Sequence, residues 1–300
     1  MSTAATTAAP ESDARTPNAA AESPTRGKRR RWGLTAIGVV LAVVFLVPYI
    51  VMVVGSFKSR KDVLGIPATY LPEEWHPENY VDMWSTPETP LPFNLVSTIV
   101  ITLCATLLVL AVAVPAAYHT ARRRFPGRMA FLLLVLATQM LQPTVLAAGL
   151  LREFLEFGIQ DTWLAMILVN GAFNLSFAVW ILHSFFSSVP EEIEEAAALD
   201  GLNRLQILRR ITLPLVWPGI VTATIFTVVA CWNEFAASLV ILTTDENQPL
   251  SVALTKFVGQ YETAWQYVFG ISIVSIVPVV ILFALIERRL IAGLTAGSVK

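Results

Sequence analysis

Residues 191–214 read EEIEEAAALDGLNRLQILRRITLP, a polar stretch set between two long apolar runs at about 163–186 and 217–242. Four glutamates open it, three alanines follow, and Gly201 comes directly after Asp200. Acidic residues stabilise the first turn of a helix, and alanine is the strongest helix former. Glycine readily adopts the left-handed conformation that ends a helix. The stretch therefore predicts a helix-turn-helix in a chain that is otherwise strongly apolar.

Local signals predict where both short helices of this stretch begin. Ser188 precedes Glu191 by three residues, the spacing of a capping box, and Pro190 suits a first helical turn because its missing N–H costs nothing there. Asn203 is a suitable N-cap for a second helix, which we expect to run through Arg210.

The composition is that of a membrane protein. Hydrophobic residues make up 55% of the chain, charged residues 14%, and the mean hydropathy is +0.63. A soluble domain carries about 25% charged residues. The net charge of -1 also gives nucleic acid no electrostatic reason to bind. We therefore expect an integral membrane protein that has no nucleic-acid partner.

Six apolar runs are each long enough to cross a bilayer, which takes about 20 helical residues. Unpaired backbone groups are costly in hydrocarbon, so these runs should be helices. They lie at about 33–55, 94–118, 129–150, 163–186, 217–242 and 266–287. Gln139, Gln142 and Pro143 interrupt the second half of the third run. The predicted fold class is all-α and polytopic, with six transmembrane helices.

Residues 1–32 form a tail rich in Ala, Thr, Ser and Pro that ends in the basic run Lys28–Arg31. The tail has too few large apolar groups to offset the entropy of ordering, so we expect it to be disordered. The apolar run that follows exceeds the roughly 7–15 residue core of a signal peptide. We expect an uncleaved first span, which opens a membrane domain covering residues 33–300.

Lysine and arginine are distributed unevenly between the two sides of the membrane. With the N-terminus in the cytoplasm, sixteen of the 21 basic residues fall on the cytoplasmic side and five on the other. Basic residues concentrate in cytoplasmic loops, so both termini are predicted to be cytoplasmic. The same count puts the segment at about 188–215 on the cytoplasmic side, between spans four and five.

That segment resembles the cytoplasmic "EAA" loop of ABC-importer permeases. The shared spacing is Glu195-Ala196-Ala197, three residues, Gly201, nine residues, Ile211, one residue, and Leu213-Pro214. In that family the loop forms a coupling helix that docks on an ATPase. The resemblance implies the fold of a type I ABC-importer permease and a set of coupling residues: Glu195, Ala196, Ala197, Asp200, Gly201, Ile211, Leu213 and Pro214.

Other stretches make the chain similar to the maltose-type carbohydrate permeases, and to the shorter, six-span partner of the permease pair. They are Ser56–Lys58, Trp232–Phe235, Leu250–Leu254 and Gly293–Lys300, and the resemblance covers nearly all of residues 33–300. In that family the C-terminal glycine-containing segment lies near the ATPases.

The resemblance also implies the assembly. A chain of this family forms a heterodimer with a second, homologous permease subunit, binds two ATPase subunits, and receives sugar from an extracytoplasmic binding protein. ATP and Mg²⁺ would be held by the partner ATPases, with no cofactor on this chain. The location implied is the inner, or plasma, membrane of a prokaryote. The outer segments at about 57–92 and 243–265 are candidate contacts for the binding protein.

Polar residues inside the spans are the candidates for a substrate path, because such groups are expensive in a bilayer and tend to face a bundle interior. They are Trp232, Asn233, Glu234, Asn170 and Asn174. An aromatic ring beside amide and carboxylate groups suits a sugar. The alternative is that these groups form hydrogen bonds between helices, which we favour for Asn170 and Asn174.

The sequence contains no recognisable enzyme motif. It lacks a glycine-rich phosphate loop, and His76, His119 and His183 do not have metal-ligand spacing. We therefore expect a transport subunit with neither catalytic residues nor a metal site. Two alternatives stay open: an ABC permease for another solute, such as a polyol phosphate or an amino acid, and an ion-coupled secondary transporter that would use Glu234.

Overall fold

The computed structural model describes the backbone of residues 24–67, 69–86, 89–259 and 263–296, and side chains from residue 34 to residue 285 within these ranges. The helices are α1 Pro24–Ser56, α2 Arg60–Val63, α3 Asn79–Asp82, α4 Leu91–Arg122, α5 Arg128–Thr138, α6 Pro143–Glu156, α7 Trp163–Ser188, α8 Glu191–Leu199, α9 Arg204–Ile207, α10 Leu213–Leu215, α11 Trp217–Trp232, α12 Ala236–Ile241, α13 Leu250–Ala253 and α14 Trp265–Ala296. Short 3₁₀ turns at Met83–Ser85 and Leu254–Phe257 and a π-helical turn at Leu208–Thr212 complete the helical segments.

The membrane-spanning helices follow the sequence-based prediction closely. Within the described part of the chain, four helical stretches are long and apolar enough to cross a bilayer alone: Leu34–Ser56, Leu91–Arg122, Trp163–Ser188 and Trp265–Leu285. Two further pairs of helices pass the same test together, each bent at a short break, which gives up to six spans. The all-α, polytopic fold class is therefore confirmed.

The third span is broken rather than continuous. Its two halves, α5 and α6, meet at 91°. Pro143 opens α6 and has no N–H to bond backward, and the preceding Gln142 is extended at ψ 138°, as the residue before a proline prefers. The glutamines and proline that interrupt the apolar run thus mark the bend.

The predicted continuous helix over 217–242 is wrong. Helix α11 ends at Trp232 and α12 begins at Ala236, with Asn233–Phe235 between them. The other end of α11 is also bent, because the stretch Arg204–Leu215 meets it at 77°. Apolar length alone does not reveal the end of α11 at Trp232, since the apolar run continues beyond the break into α12.

The chain divides into two compact units, residues 1–50 and residues 51–300. The predicted disordered tail lies outside the described residues up to residue 23. Residues 24–32, which were included in that tail, instead continue α1 from Pro24. Lysine and arginine are good helix formers, so the basic run Lys28–Arg31 is compatible with this extension of the helix.

In the second unit, a stripe of small side chains on α4 packs against α7 and α11. Its members are Ala105, Val109, Ala113, Ala117 and Ala121, spaced four residues apart and all buried. Leu182 and Phe186 of α7 pack in the same cluster. Lipid tails are as apolar as leucine, so helices in a membrane associate by close packing, which small residues permit. The stripe therefore fixes α4 as the central helix of this unit.

The first turns of α4 hold the loop that follows α12. The side-chain amide of Asn94 donates to the carbonyls of Asp245 at 2.6 Å and Gln248 at 2.8 Å. The Thr98 hydroxyl accepts the Leu250 N–H at 2.8 Å. These bonds satisfy backbone groups that would otherwise be buried unpaired, so the loop is fixed on the end of α4 opposite to Arg122.

Asp161, in the loop before α7, binds the loop that follows α12. Its carboxylate accepts the N–H groups of Thr243 at 2.8 Å and Thr244 at 3.0 Å, and also the Thr244 hydroxyl. Burial acts to raise the pKa of Asp161, but hydrogen bonds from Thr244 and Thr243 outweigh it, so the pKa lies below the ordinary value of 3.8. The carboxylate is therefore ionised at neutral pH, and these bonds weaken only in acid.

A side chain at Gly219 is expected to disrupt the contact between α11 and α7. A Cβ atom there would lie 2.4 Å from Cγ and 2.7 Å from Cβ of Phe185. Gly219→Ala should therefore lower the free energy of unfolding by about 1–3 kcal/mol through overpacking, measured as a lower melting temperature in detergent. Gly149→Ala is the matched control, since a Cβ there meets nothing within 4 Å. Equal melting temperatures for the two variants would contradict the packing described.

Candidate functional site

The first helix of the coupling segment, which we define as residues 188–215, begins differently from the prediction. Helix α8 starts at Glu191 after an extended Pro190, with no side-chain cap, and the Ser188 hydroxyl donates to the Phe185 carbonyl at 2.8 Å. The predicted capping box at Ser188 is therefore wrong, because Ser188 belongs to the last turn of α7. The acidic first turn of α8 provides the favourable dipole interaction instead.

Gly201 ends α8 as predicted. Its φ is +87°, in the left-handed region. The Gly201 N–H donates to Ala198 at 3.0 Å and the Leu202 N–H to Ala197 at 3.2 Å. This pair of bonds is a Schellman motif, which satisfies carbonyls at the helix end and reverses the chain.

Asn203 caps the second helix, also as predicted. Its side-chain oxygen accepts the Gln206 N–H, and the Gln206 side chain accepts the Asn203 N–H, each at 2.9 Å. The helix is shorter than expected, because α9 ends at Ile207 and a π-helical turn follows. In that turn the Leu213 N–H bonds to the Leu208 carbonyl, five residues back.

The eight predicted coupling residues divide into an exposed set and a packed set. Glu195, Ala196, Asp200, Gly201 and Pro214 are exposed, Ile211 and Leu213 are half-buried, and Ala197 is buried. Leu213 packs on the cluster formed by α4, α7 and α11. Two leucines beside the exposed set, Leu199 and Leu205, are 90% and 63% exposed. The segment therefore presents an apolar and acidic surface while its other side packs on the spans.

Glu194 is a residue of this site that sequence reasoning does not single out. Its carboxylate accepts the Tyr118 hydroxyl at 2.9 Å, the Arg122 Nε at 2.9 Å and the Thr212 hydroxyl at 2.8 Å. Tyr118 and Arg122 lie more than 70 positions away in sequence. In the sequence, Glu194 is one of four glutamates in the first turns of α8, and nothing local distinguishes it from the other three.

Glu234, a predicted substrate-path residue, uses its carboxylate within the chain. It accepts the N–H groups of Ala237 at 2.7 Å and Ser238 at 3.0 Å, together with the Ser238 hydroxyl. These are the unpaired donors at the start of α12, so Glu234 caps that helix. Glu234 therefore stabilises the break in the fifth span, and its hydrogen bonds offset the cost of placing a carboxylate in an apolar run.

Trp232 and Asn233 line a cavity of about 320 Å³ beside α14. Its other polar lining residues are Thr98, Ser251, Ser272 and Ser275. Each of these four hydroxyls donates to a backbone carbonyl, at 2.7 to 2.9 Å. These hydroxyl groups already use their protons in hydrogen bonds within the chain, so what they offer a ligand is mainly acceptor oxygens. None of the described residues that line it is ionisable.

Asn170 and Asn174 lie between helices and do not join this cavity. The Asn174 side-chain amide donates to the Asn170 carbonyl at 2.9 Å and contacts the Cys231 sulfur at 3.6 Å. Asn170 is 3% exposed, and within the described part of the chain its buried Nδ2 has no hydrogen-bond partner. Asn174 thus makes one contact between helices, to Cys231 of α11, whereas the side-chain amide of Asn170 makes none among the described residues.

The spans line an uncharged cavity and carry an exposed helix-turn-helix between two of them. This is the architecture of a permease subunit of the ABC-importer class. The comparison with known proteins agrees. The chain belongs to the family of binding-protein-dependent transport system inner membrane components, whose profile matches residues 110–292. It is therefore a transport subunit and a multi-pass protein of the inner membrane.

Individual relatives cover nearly the whole chain. It is 34% identical to the inner membrane ABC transporter permease protein YcjP of Escherichia coli, over 86% of this chain and 92% of that one. It is 33% identical to the trehalose/maltose transport system permease protein MalG of Thermococcus litoralis, over 89% and 96%. A chain of a bacterial ABC transporter that imports the acidic polysaccharide alginate has the same fold, with a TM-score of 0.73, 23% identity, and coverage of 89% and 98%.

The turn at Gly201 is expected to depend on backbone conformation rather than on space. A Cβ there meets nothing within 4 Å, but φ is +87°. Asparagine adopts the left-handed region far more readily than a β-branched residue. Gly201→Val should therefore lower the free energy of unfolding by about 1–2 kcal/mol, while Gly201→Asn stays close to wild type. The measurement is the melting temperature of each purified variant, and equal effects would argue against conformational strain.

Proposed function

We propose that this chain is one permease subunit of an ATP-driven importer whose coupling segment docks on an ATPase subunit. The observation that carries the proposal is the exposed surface of Glu195, Ala196, Leu199 and Leu205 on helices whose other side packs on the spans. Leu199 and Leu205, which are 90% and 63% exposed, add apolar side chains to this surface for a partner to cover. The acidic residues suit a basic groove on that partner.

The rest of the proposed assembly follows from this docking. In this assembly the coupling segment and both termini face the cytoplasm, as the excess of basic residues on that side predicts. A second, homologous permease completes the translocation path as a heterodimer, two ATPase subunits hold ATP and Mg²⁺, and an extracytoplasmic binding protein delivers the solute. This chain then binds no cofactor and carries no catalytic residue. The C-terminal residues 297–300, expected near the ATPases, lie outside the described residues.

Docking is tested by co-purification of the ATPase subunit with tagged permease. Leu199→Asp and Glu195→Lys should each remove the ATPase, because one places a charge in an apolar contact and the other reverses a charge facing a basic groove. We expect at least a tenfold loss of association, which corresponds to about 1.4 kcal/mol. Ile66→Asp is the control, since Ile66 is 98% exposed but lies between α2 and α3. Unchanged association of both variants would refute the docking surface.

We further propose that the solute is a carbohydrate and that Trp232 and Asn233 contact it. The relative MalG serves trehalose and maltose transport by its name. An indole face beside acceptor oxygens suits sugar C–H and hydroxyl groups. A polyol phosphate would leave its charge without a cation among the described lining residues. Asn170 and Asn174 are assigned to helix contacts rather than to the solute.

An ion-coupled transporter, the alternative from another class, receives less support. It would need an ionisable coupling group within the spans, and Glu234 was the candidate. The carboxylate of Glu234 is already bonded to the start of α12. Its side chain caps a helix in this structure, which is a sufficient reason for its presence.

The sugar contact is tested by comparing Trp232→Leu with Trp232→Phe. Both variants lose the bond from the indole Nε1 to the Ser275 carbonyl, 3.1 Å long, but only phenylalanine keeps an aromatic face. We expect Trp232→Leu to reduce sugar uptake by the assembled importer about five- to tenfold relative to Trp232→Phe. The assay is uptake of labelled sugar at saturating binding protein. Equal rates for the two variants would remove Trp232 from the solute path.

A further inference from the structure

The carboxylate of Glu194 joins three parts of the chain that sequence keeps apart. It sits on α8, it accepts hydrogen bonds from Tyr118 and Arg122 on the last turns of α4, and it accepts another from Thr212 in the π-helical turn. All three bonds are between 2.8 and 2.9 Å long. One side chain therefore holds the coupling helix, the central span and the segment that leads into α11.

The ion pair in this cluster is well shielded from water. The Arg122 guanidinium lies 2.9 Å from the Glu194 carboxylate, and the two side chains are 11% and 13% exposed. Arg122 also donates to the Val189 carbonyl at 3.0 Å, in the connection between α7 and α8. Charge-assisted bonds in such surroundings are strong, and removal of one partner leaves the other buried without its counter-charge.

The covalent connections of α8 are poorly suited to transmitting a movement. Towards α7 the chain is extended at Val189 and Pro190. Towards α11 it passes through the turn at Gly201 and two short helical segments. Neither path is a continuous helix, so a push on α8 could be absorbed by backbone rotation. The contact through Glu194 bypasses both paths and reaches α4 directly.

We propose that Glu194 is a positioning residue that transmits movement of the coupling helix to α4. The proposal rests on the proposed function, since it assumes that an ATPase moves α8. The two neighbouring glutamates then have different roles. Glu195 contacts the ATPase, and Glu194 holds α8 on α4. Because α4 packs along α7 and α11 through its stripe of small residues, movement of its end is passed to the bundle.

The test uses the complete importer, reconstituted in liposomes with its ATPase and its sugar-loaded binding protein. Glu194→Gln keeps the shape and weakens each charge-assisted bond. We expect normal ATPase co-purification, sugar uptake reduced about tenfold, and ATP hydrolysis that no longer responds to the loaded binding protein. Glu153→Gln is the control, because it removes the same charge from an exposed helical position outside the coupling segment, on α6, and it should behave as wild type.

A double-mutant cycle separates transmission from a general loss of charge. Arg122→Gln, Glu194→Gln and the double variant should reduce uptake to a similar extent, since all three remove the same contact. Tyr118→Phe and Thr212→Val, which each remove one hydroxyl donor, should cause smaller losses. Independent, multiplying losses for Arg122 and Glu194 would overturn the proposal.

Two further results would also overturn it. Normal uptake by Glu194→Gln would show that the contact transmits nothing. Loss of ATPase from Glu194→Gln, with normal melting temperature, would make Glu194 part of the docking surface instead. Failure of the proposed function is a different outcome, because then the wild-type chain itself would not retain the ATPase.

Discussion

Close packing of α4 against α7 and α11 is the constraint on which the rest of the second unit depends. It requires one side of α4 to carry only small residues, because apolar attraction alone does not join helices in lipid. The stripe from Ala105 to Ala121 meets that requirement. It also decides what lies at each end of α4: Asn94 and Thr98 hold the loop after α12, and Tyr118 and Arg122 meet the coupling helix.

The unpaired donors at the start of a helix explain the most costly polar residue within the spans, Glu234. A helix that begins inside the apolar region exposes unpaired N–H groups in its first turn, and these need acceptors. At the break in the fifth span the acceptor is Glu234, so a residue that looks costly in the sequence stabilises the break. Asn233 and Trp232 are left at the edge of the cavity because α11 ends there.

Sequence predicts the parts of this structure that short-range chemistry decides. The left-handed Gly201 and the cap at Asn203 were predicted correctly because each depends on residues within four positions. The spans were predicted from apolar length, and so was the start of α11 at Trp217, but its end at Trp232 was not, since the apolar run continues to residue 242. Glu194 could not be selected for a similar reason: its partners are set by how α4 packs, which is a property of the fold.

The position of Glu194 beside Glu195 has a simple helical explanation. Successive residues on an α-helix point about 100° apart, so adjacent glutamates can serve different sides of one helix. Helix α8 has nine residues, too few to be stable in water by itself. Its orientation must therefore come from its contacts with the spans. The exposed surface that the ATPase is proposed to bind is held in a fixed direction because Glu194 anchors α8 to the end of α4.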